Sequence, residues 1–203
     1  MVAKHQAKTG SAPPPRAQWA FRYFLAGQLG FWALLLVCVL LLPQGLLANH
    51  GFTYYGKYAL TLAPYRLAFI VSGLGTLLAS FYLPAQRPFR VLAWAFRLMA
   101  PLLYALVVTT AADNWALGLI HVKFGETLFL LQTALAAWLA LFLCPDRRNR
   151  VLLLLLVLGG LASIITLNDI LPYLIEAQIL FQLAFGLLVL QSLAKLGNRA
   201  APC

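Results

Sequence analysis

Long apolar segments alternate with short polar breaks along most of the chain. Each segment is close to the length that an α-helix needs to cross about 30 Å of hydrocarbon at about 1.5 Å per residue. We therefore predict an all-α protein whose core is a bundle of six transmembrane helices. The predicted spans are residues 24–42, 62–83, 91–112, 118–144, 151–168 and 170–194.

The count of six depends on the polar break at Asn168 and Asp169. A five-span protein would need a single helix from Val151 to Ala194, and a bilayer accommodates only about 17–25 residues per span. The break also supplies a helix N-cap, followed by Pro172 in the first turn. Six spans are therefore the better prediction.

Composition agrees with a membrane protein and excludes a soluble monomer. The 203 residues are 63% hydrophobic and only 10% charged, and mean hydropathy is +0.85. Soluble domains have about 25% charged residues. Residues 1–21 and 196–203 lack this apolar character, so we expect a basic disordered N-terminal tail and a short C-terminal tail, both cytoplasmic.

The basic residues predict the orientation in the membrane. An N-terminus inside the cell places twelve of the fifteen Lys and Arg residues on the cytoplasmic side, leaving only Lys57, Arg66 and Lys123 outside. Cytoplasmic loops carry such an excess of positive charge. We expect both termini in the cytoplasm, in an inner or plasma membrane, and the charge needs no nucleic-acid partner to explain it.

The acidic residues are distributed in the opposite way, with only Asp146 on the cytoplasmic side. Charges at membrane depth are costly unless they face the bundle interior and find a partner, so they indicate a functional site. We predict an outward-opening polar pocket that binds a lipid or small ligand. Its candidate residues are Arg66, His121, Glu126, Asp169, Tyr173, Glu176, Gln178 and Gln182.

Two other interpretations of these residues stay open. In the first, they form a structural network, in which interhelical hydrogen bonds contribute about 0.6–2 kcal/mol each. In the second, they lie in the headgroup region. Lys123 and Glu126 are three residues apart and can pair along one helix. Arg97, deep in the third span, is expected to extend its side chain toward cytoplasmic phosphates.

The connection at residues 43–60 is rich in glycine and tyrosine, and it is either a lid over the pocket or part of an interfacial aromatic belt. Small residues predict close helix contacts within the bundle. They are Gly73, Gly75 and Ala79 in the second span, and Gly159, Gly160 and Ser163 in the fifth.

The chain has no motif for nucleotide binding, zinc hydrolysis or serine catalysis, and no paired histidines for haem. Cys38, Cys144 and Cys203 have no spacing typical of a metal or redox site. We expect no metal, no cofactor and no enzymatic activity.

One segment of the fourth span resembles a known family. His121, Gly125, Glu126, Leu128 and Phe129, with the glycine- and tyrosine-rich loop after the first span, are similar to the pattern of the six-span damage-regulated autophagy modulators and their bacterial relatives. The resemblance covers about a third of the chain. It implies six helices and a membrane-regulatory or lipid-linked role, and it transfers no catalytic residue.

The expected function is therefore non-enzymatic binding of a lipid or small polar ligand. One alternative is a substrate-binding or transport component of a small-molecule importer, since the size and layout are similar to the six-helix substrate-binding components of energy-coupling vitamin importers. A third is a scaffold subunit that contacts another membrane protein. Membrane lipids are expected partners in each case.

Overall fold

The computed structural model describes residues 15–47, 51–110, 115–167 and 173–198. Within these residues it confirms an all-helical chain with six helices that are long and apolar enough to cross a membrane. A π-helical turn, Leu139–Leu143, continues the fourth helix. The six helices are α1 (Pro15–Leu41), α2 (Ala59–Tyr82), α3 (Arg87–Thr109), α4 (Trp115–Trp138), α5 (Arg147–Leu167) and α6 (Leu174–Asn198).

Helix α1 begins earlier than expected. The predicted disordered tail included residues 15–21, but these are helical, with Pro15 at the first position, where its missing N–H costs no hydrogen bond. The predicted end of the third span and start of the sixth, residues 111–112 and 170–172, lie outside the described residues. Helices α2, α3, α4 and α5 begin three or four residues before the predicted spans, and α6 ends four residues after its span, because helix formation continues past the apolar residues. The described ends of α1, α2, α5 and the π-helical turn after α4 lie one residue before the predicted ends.

The helices pack mainly as sequential neighbours, α1 with α2, α2 with α3 and α3 with α4, while α5 packs with α6 and α6 returns to α1. We call the end where α1 begins and α6 ends the basic end. The opposite end, which carries the 43–58 connection, is called the loop end. Among the described residues, the basic end has nine Lys or Arg and one carboxylate, Asp146.

Glycine allows close helix contacts at two places in the described part of the bundle. A Cβ atom built on Gly75 would lie 2.6 Å from the Cα of Gly27, so α1 and α2 meet backbone to backbone. One built on Gly159 would lie 2.7 Å from the backbone nitrogen of Phe181. The close contacts predicted for the small residues of α2 and α5 are confirmed at these positions.

The 43–58 connection closes the loop end with buried side chains. It forms two 3-10 turns, Pro43–Leu47 and Gly51–Gly56. Phe52 packs edge-on against Phe31 of α1, with ring centroids 6.0 Å apart, and Tyr55 is fully buried. An interfacial aromatic belt is therefore the wrong interpretation for Phe52 and Tyr55, although Tyr58 is 43% exposed and fits it.

Candidate functional site

Seven of the eight predicted site residues are described, and Asp169 lies outside the described residues. Their side chains separate into several local arrangements, each with its own contacts. Three of their side chains make hydrogen bonds to a different element of the fold, and the other four make no such bond among the described residues. The first group is Gln178, Gln182 and His121, and the second is Arg66, Glu126, Tyr173 and Glu176.

Gln182 of α6 pairs with Gln132 of α4. Each amide nitrogen donates to the other's carbonyl oxygen, at 3.3 and 3.1 Å. The rings of Phe129 and Phe181 stack beside them with centroids 4.7 Å apart. The amide groups therefore satisfy one another between two helices in an apolar setting, which is the interhelical bonding expected of a structural network.

Gln178 holds the 43–58 connection onto α6. Its Oε1 accepts a hydrogen bond of 2.8 Å from the backbone N–H of Phe52. Gly51, just before it, has φ of +58°, and a Cβ there would lie 2.4 Å from the same oxygen. Glycine is therefore required at this position for two reasons. Residues with a Cβ atom rarely adopt the left-handed backbone conformation, and a Cβ atom would collide with Gln178. The connection is thus anchored across 126 residues of sequence.

His121 lies in the second turn of α4 and contacts α3. Its Nδ1 is 2.9 Å from Oγ1 of Thr109, which also donates to the carbonyl oxygen of Ala105 at 2.8 Å. With its hydroxyl proton used there, Thr109 accepts from the imidazole N–H. The histidine side chain therefore links two helices through a neutral partner rather than facing a carboxylate.

Glu126 forms the predicted pair with Lys123, at 2.7 Å, and both side chains are largely exposed. Tyr173 precedes α6 and is 58% exposed. Its carbonyl oxygen accepts from Ala177 N–H at 3.1 Å, and Glu176 is exposed in the first helical turn. The structure does not bring Glu126 and Glu176 together with Arg66 in a contact among the described residues.

Arg66 is different from the other candidates. It lies seven residues into α2, about 10 Å along the helix, and its side chain is partly buried. Its Nε is buried and has no hydrogen-bond partner in the described part of the chain. Nearby, Tyr65 contacts Thr110 at the end of α3. Arginine is always charged, so this donor needs an acceptor.

Two features of the basic end were not predicted. Asp146 accepts from the backbone N–H of Asn149 at 2.8 Å, which caps α5, and it also forms an ion pair with Lys195 of α6. The guanidinium of Arg97 lies against the rings of Phe81 and Trp94. An aspartate directly before a helix start is a sequence signal for the cap. The ion pair with Lys195 has no such signal, because the two residues lie on different helices.

An open depression of about 510 Å³ also lies at the basic end, beside the start of α5, and is lined by Pro145, Asp146, Arg147, Arg150, Val151 and Leu154. Its arginines give it a basic wall. Among the described residues, no group of three His, Cys, Asp or Glu side chains is placed to hold a metal ion.

The described site residues can thus bind helices together at three points and offer one buried, unpaired cationic donor at the loop end. Comparison of the chain with models of protein families, with curated proteins and with solved structures gives no significant match.

Proposed function

We propose that this multi-pass membrane protein binds an acidic group, a phosphate or carboxylate of a lipid or small molecule, through Arg66 at the loop end. Its termini lie in the cytoplasm and the loop end faces outward, in an inner or plasma membrane. The protein acts by binding and not by catalysis. The excess of Lys and Arg at the basic end supports this orientation, since positive loops stay on the cytoplasmic side.

The observation that carries the proposal is the buried Nε of Arg66 without an acceptor. A buried donor without an acceptor costs about 1–3 kcal/mol, and more when its group is charged, unless an anion replaces the lost water. Guanidinium groups bind carboxylate and phosphate through two parallel N–H donors. An acidic group at this position would satisfy Nε and stabilise the site.

The depth of Arg66 also favours a membrane-derived ligand. The helix continues for sixteen residues beyond Arg66, to Tyr82, which covers about 24 Å. With the basic end at the cytoplasmic boundary of a hydrocarbon core of about 30 Å, Arg66 lies just below the opposite boundary. Phosphates of the outer leaflet are within reach of an arginine side chain from there.

The other described candidates support the structural interpretation instead. Gln178, Gln182 and His121 already have partners inside the protein, and Glu126 is paired with Lys123. They would position helices around Arg66 and contribute little direct affinity for a ligand. The proposed site is therefore smaller than the eight-residue pocket expected from the sequence.

Native mass spectrometry of protein released from nanodiscs tests the proposal. We would compare wild type with Arg66→Gln and Arg66→Lys, using Lys57→Gln as a control that removes one exposed cation from the same end. We expect an acidic adduct that survives in Lys57→Gln and weakens about tenfold in Arg66→Gln, as loss of a charge-assisted contact predicts. The mass of the adduct distinguishes a lipid from a free acid.

Two results would contradict the proposal. Equal adduct occupancy in wild type and Arg66→Gln would place the ligand elsewhere. If instead no acidic adduct is found and Arg66→Gln lowers thermal stability in its absence, Arg66 has a structural role. Arg66→Lys, which keeps the charge but removes Nε as a donor, separates geometry from charge.

A scaffold role is the second candidate, and one observation favours it. The Lys123 and Glu126 pair is exposed on α4, between Val122 and Leu130, which are 51% and 64% exposed. A charged pair surrounded by lipid-facing apolar side chains would be better satisfied against a polar helix of another protein. Crosslinking from Val122→Cys in native membranes would detect such a partner, and the absence of any crosslinked protein would count against a scaffold role.

A further inference from the structure

A second charged surface lies at the basic end, on the side of α3 that faces away from the bundle. Its members are spaced three and four residues apart, so they share one side of the helix. All are exposed, and the neighbouring α2 contributes an exposed phenylalanine. We call this surface the arginine face, and it consists of Arg87, Arg90, Trp94 and Arg97 of α3 and Phe81 of α2.

The side chain of Arg97 is held in place by both helices. Its Nε donates to Oγ of Ser80, on α2, at 3.4 Å. The guanidinium carbon lies 5.4 Å from the ring centroid of Phe81 and 5.5 Å from that of Trp94. Cation–π contact and one hydrogen bond thus position the group. Among the described residues, its two terminal nitrogens have no hydrogen-bond partner.

The position of Arg97 along α3 explains this arrangement. It follows Arg87, the first residue of the helix, by ten residues, or about 15 Å. Ser80 stands two residues before the end of α2. The guanidinium therefore extends from the middle of α3 back toward the basic end, as predicted for a side chain that reaches phosphates from within the hydrocarbon.

We propose that the arginine face binds the headgroup of an anionic phospholipid in the leaflet at the basic end. The terminal nitrogens of Arg97 donate to its phosphate, and Arg90, about two turns nearer the basic end, adds a second positive charge. Phe81 and Trp94 contact the glycerol backbone and upper acyl chains. This site uses no residue of the Arg66 site and does not rest on the proposal made for it.

A phospholipid fits this surface better than a soluble anion. Val91 and Leu98, which flank it on α3, are 47% and 54% exposed, so acyl chains can lie beside the charged groups. Basic pockets between transmembrane helices at the cytoplasmic side bind acidic headgroups. Exposed aromatic rings at the same level match the amphipathic boundary of a bilayer.

Lipid titration of the full chain in detergent tests the site. Native mass spectrometry would measure binding of phosphatidylglycerol and of phosphatidylcholine with identical acyl chains. The variants are Arg97→Gln and Arg90→Gln. Arg16→Gln, which removes an exposed arginine from α1 at the same end, is the matched control.

We expect wild type to bind phosphatidylglycerol more tightly than phosphatidylcholine. Arg97→Gln should weaken the phosphatidylglycerol complex about tenfold and Arg90→Gln about threefold, as the loss of one direct contact and one nearby charge predicts. Arg16→Gln should leave the affinity unchanged. Phosphatidylcholine carries the same phosphate but no net charge, so its weaker binding should respond less to Arg97→Gln and Arg90→Gln, and Arg16→Gln should leave it unchanged.

Equal binding of the two lipids by wild type would overturn the proposal, and so would an Arg16→Gln effect as large as that of Arg97→Gln, since net charge alone would then explain it. Arg90 has an exposed side chain at the helix start, so Arg90→Gln should fold even if loss of the Ser80 contact destabilises Arg97→Gln. An unchanged affinity in a folded Arg90→Gln protein also counts against the site.

Discussion

The side-chain amides of Gln132 and Gln182 donate hydrogen bonds to one another, one from α4 and one from α6, over 3.3 and 3.1 Å. These helices otherwise touch at few places, and Gln132 is only 4% exposed. A reciprocal amide pair satisfies a donor and an acceptor on each side in one geometry. The pair therefore fixes the register of α4 against α6.

Each single replacement should lower the free energy of unfolding by more than half as much as replacing both glutamines. Gln182→Leu leaves the buried amide of Gln132 unpaired, so we expect a loss of about 0.6–2 kcal/mol, the range measured for interhelical hydrogen bonds in membranes. The double variant Gln132→Leu/Gln182→Leu should be less destabilised than the sum of the single variants. Unfolding in mixed micelles titrated with a denaturing detergent measures all three. Strict additivity would show that the amides do not interact.

Backbone contact between α1 and α2 makes Gly75 intolerant of a side chain. In Gly75→Ala the new methyl group would meet the Cα of Gly27 at 2.6 Å and the carbonyl oxygen of Tyr23 at 2.7 Å. Backbone atoms cannot move aside alone, so the helices must separate, at a cost of about 1–3 kcal/mol.

Gly125→Ala is the matched control for Gly75→Ala. The nearest atom to its new methyl group is Cδ2 of Leu106, at 4.0 Å. This substitution should leave stability unchanged or raise it by up to about 1 kcal/mol through helix propensity. Equal effects of the two substitutions on the unfolding free energy would refute close packing at Gly75.

The helix count could be predicted because membrane hydrocarbon imposes a length and an apolar composition on each span. The same argument does not predict where α1 and α3 begin. Their first residues, Pro15 and Arg87, lie outside the apolar segments, where hydropathy carries no information. A close helix contact at Gly75 was also predictable, since only small residues permit it, but its partner α1 was not.

The partners of polar side chains were predictable only within a single helix. The Lys123 and Glu126 pair follows from a three-residue spacing. Gln178 bonds to Phe52, and Gln182 to Gln132, which are 126 and 50 residues away in sequence. Such contacts depend on which helices are neighbours and on their rotation. An individual sequence of apolar spans contains little information about either.

Tyr55 carries a buried hydroxyl that has no hydrogen-bond partner in the described part of the chain. Tyr55→Phe should therefore leave stability at neutral pH unchanged or raise it by up to about 1 kcal/mol. Burial raises the pKa of Tyr55 from 10.0 to about 12. Below pH 10, the pKa of the unfolded state, Tyr55 is neutral in both states and the full stability of the protein is present. As the pH rises from 10 to about 12, the unfolded state ionises before the folded state and stability is lost.

Wild type should accordingly lose more stability than Tyr55→Phe between pH 10 and pH 12, as thermal unfolding over this range would show. Tyr65→Phe is the control at neutral pH, because it removes a hydroxyl that is 3.4 Å from Oγ1 of Thr110. That variant should be destabilised where Tyr55→Phe is not. If Tyr55→Phe is clearly less stable than wild type at pH 7, its hydroxyl has a favourable contact.

Asp146 connects two helix ends at the basic end through one carboxylate. It caps α5 by accepting from Asn149 N–H at 2.8 Å, and it forms an ion pair with Lys195 in the last turn of α6. A serine at this position would keep the cap and lose the charge. An alanine would lose both.

We expect Asp146→Ala to destabilise the protein by about 1–3 kcal/mol, the sum of a lost cap and a partly exposed ion pair. Asp146→Ser should recover the cap contribution. The remaining difference between Asp146→Ser and wild type should shrink in 1 M salt, because salt screens the ion pair and not the cap. Lys195→Met should match that difference. Unfolding in mixed micelles at low and high salt measures each variant, and a salt-independent difference between wild type and Asp146→Ser would mean that the pair with Lys195 adds no stability.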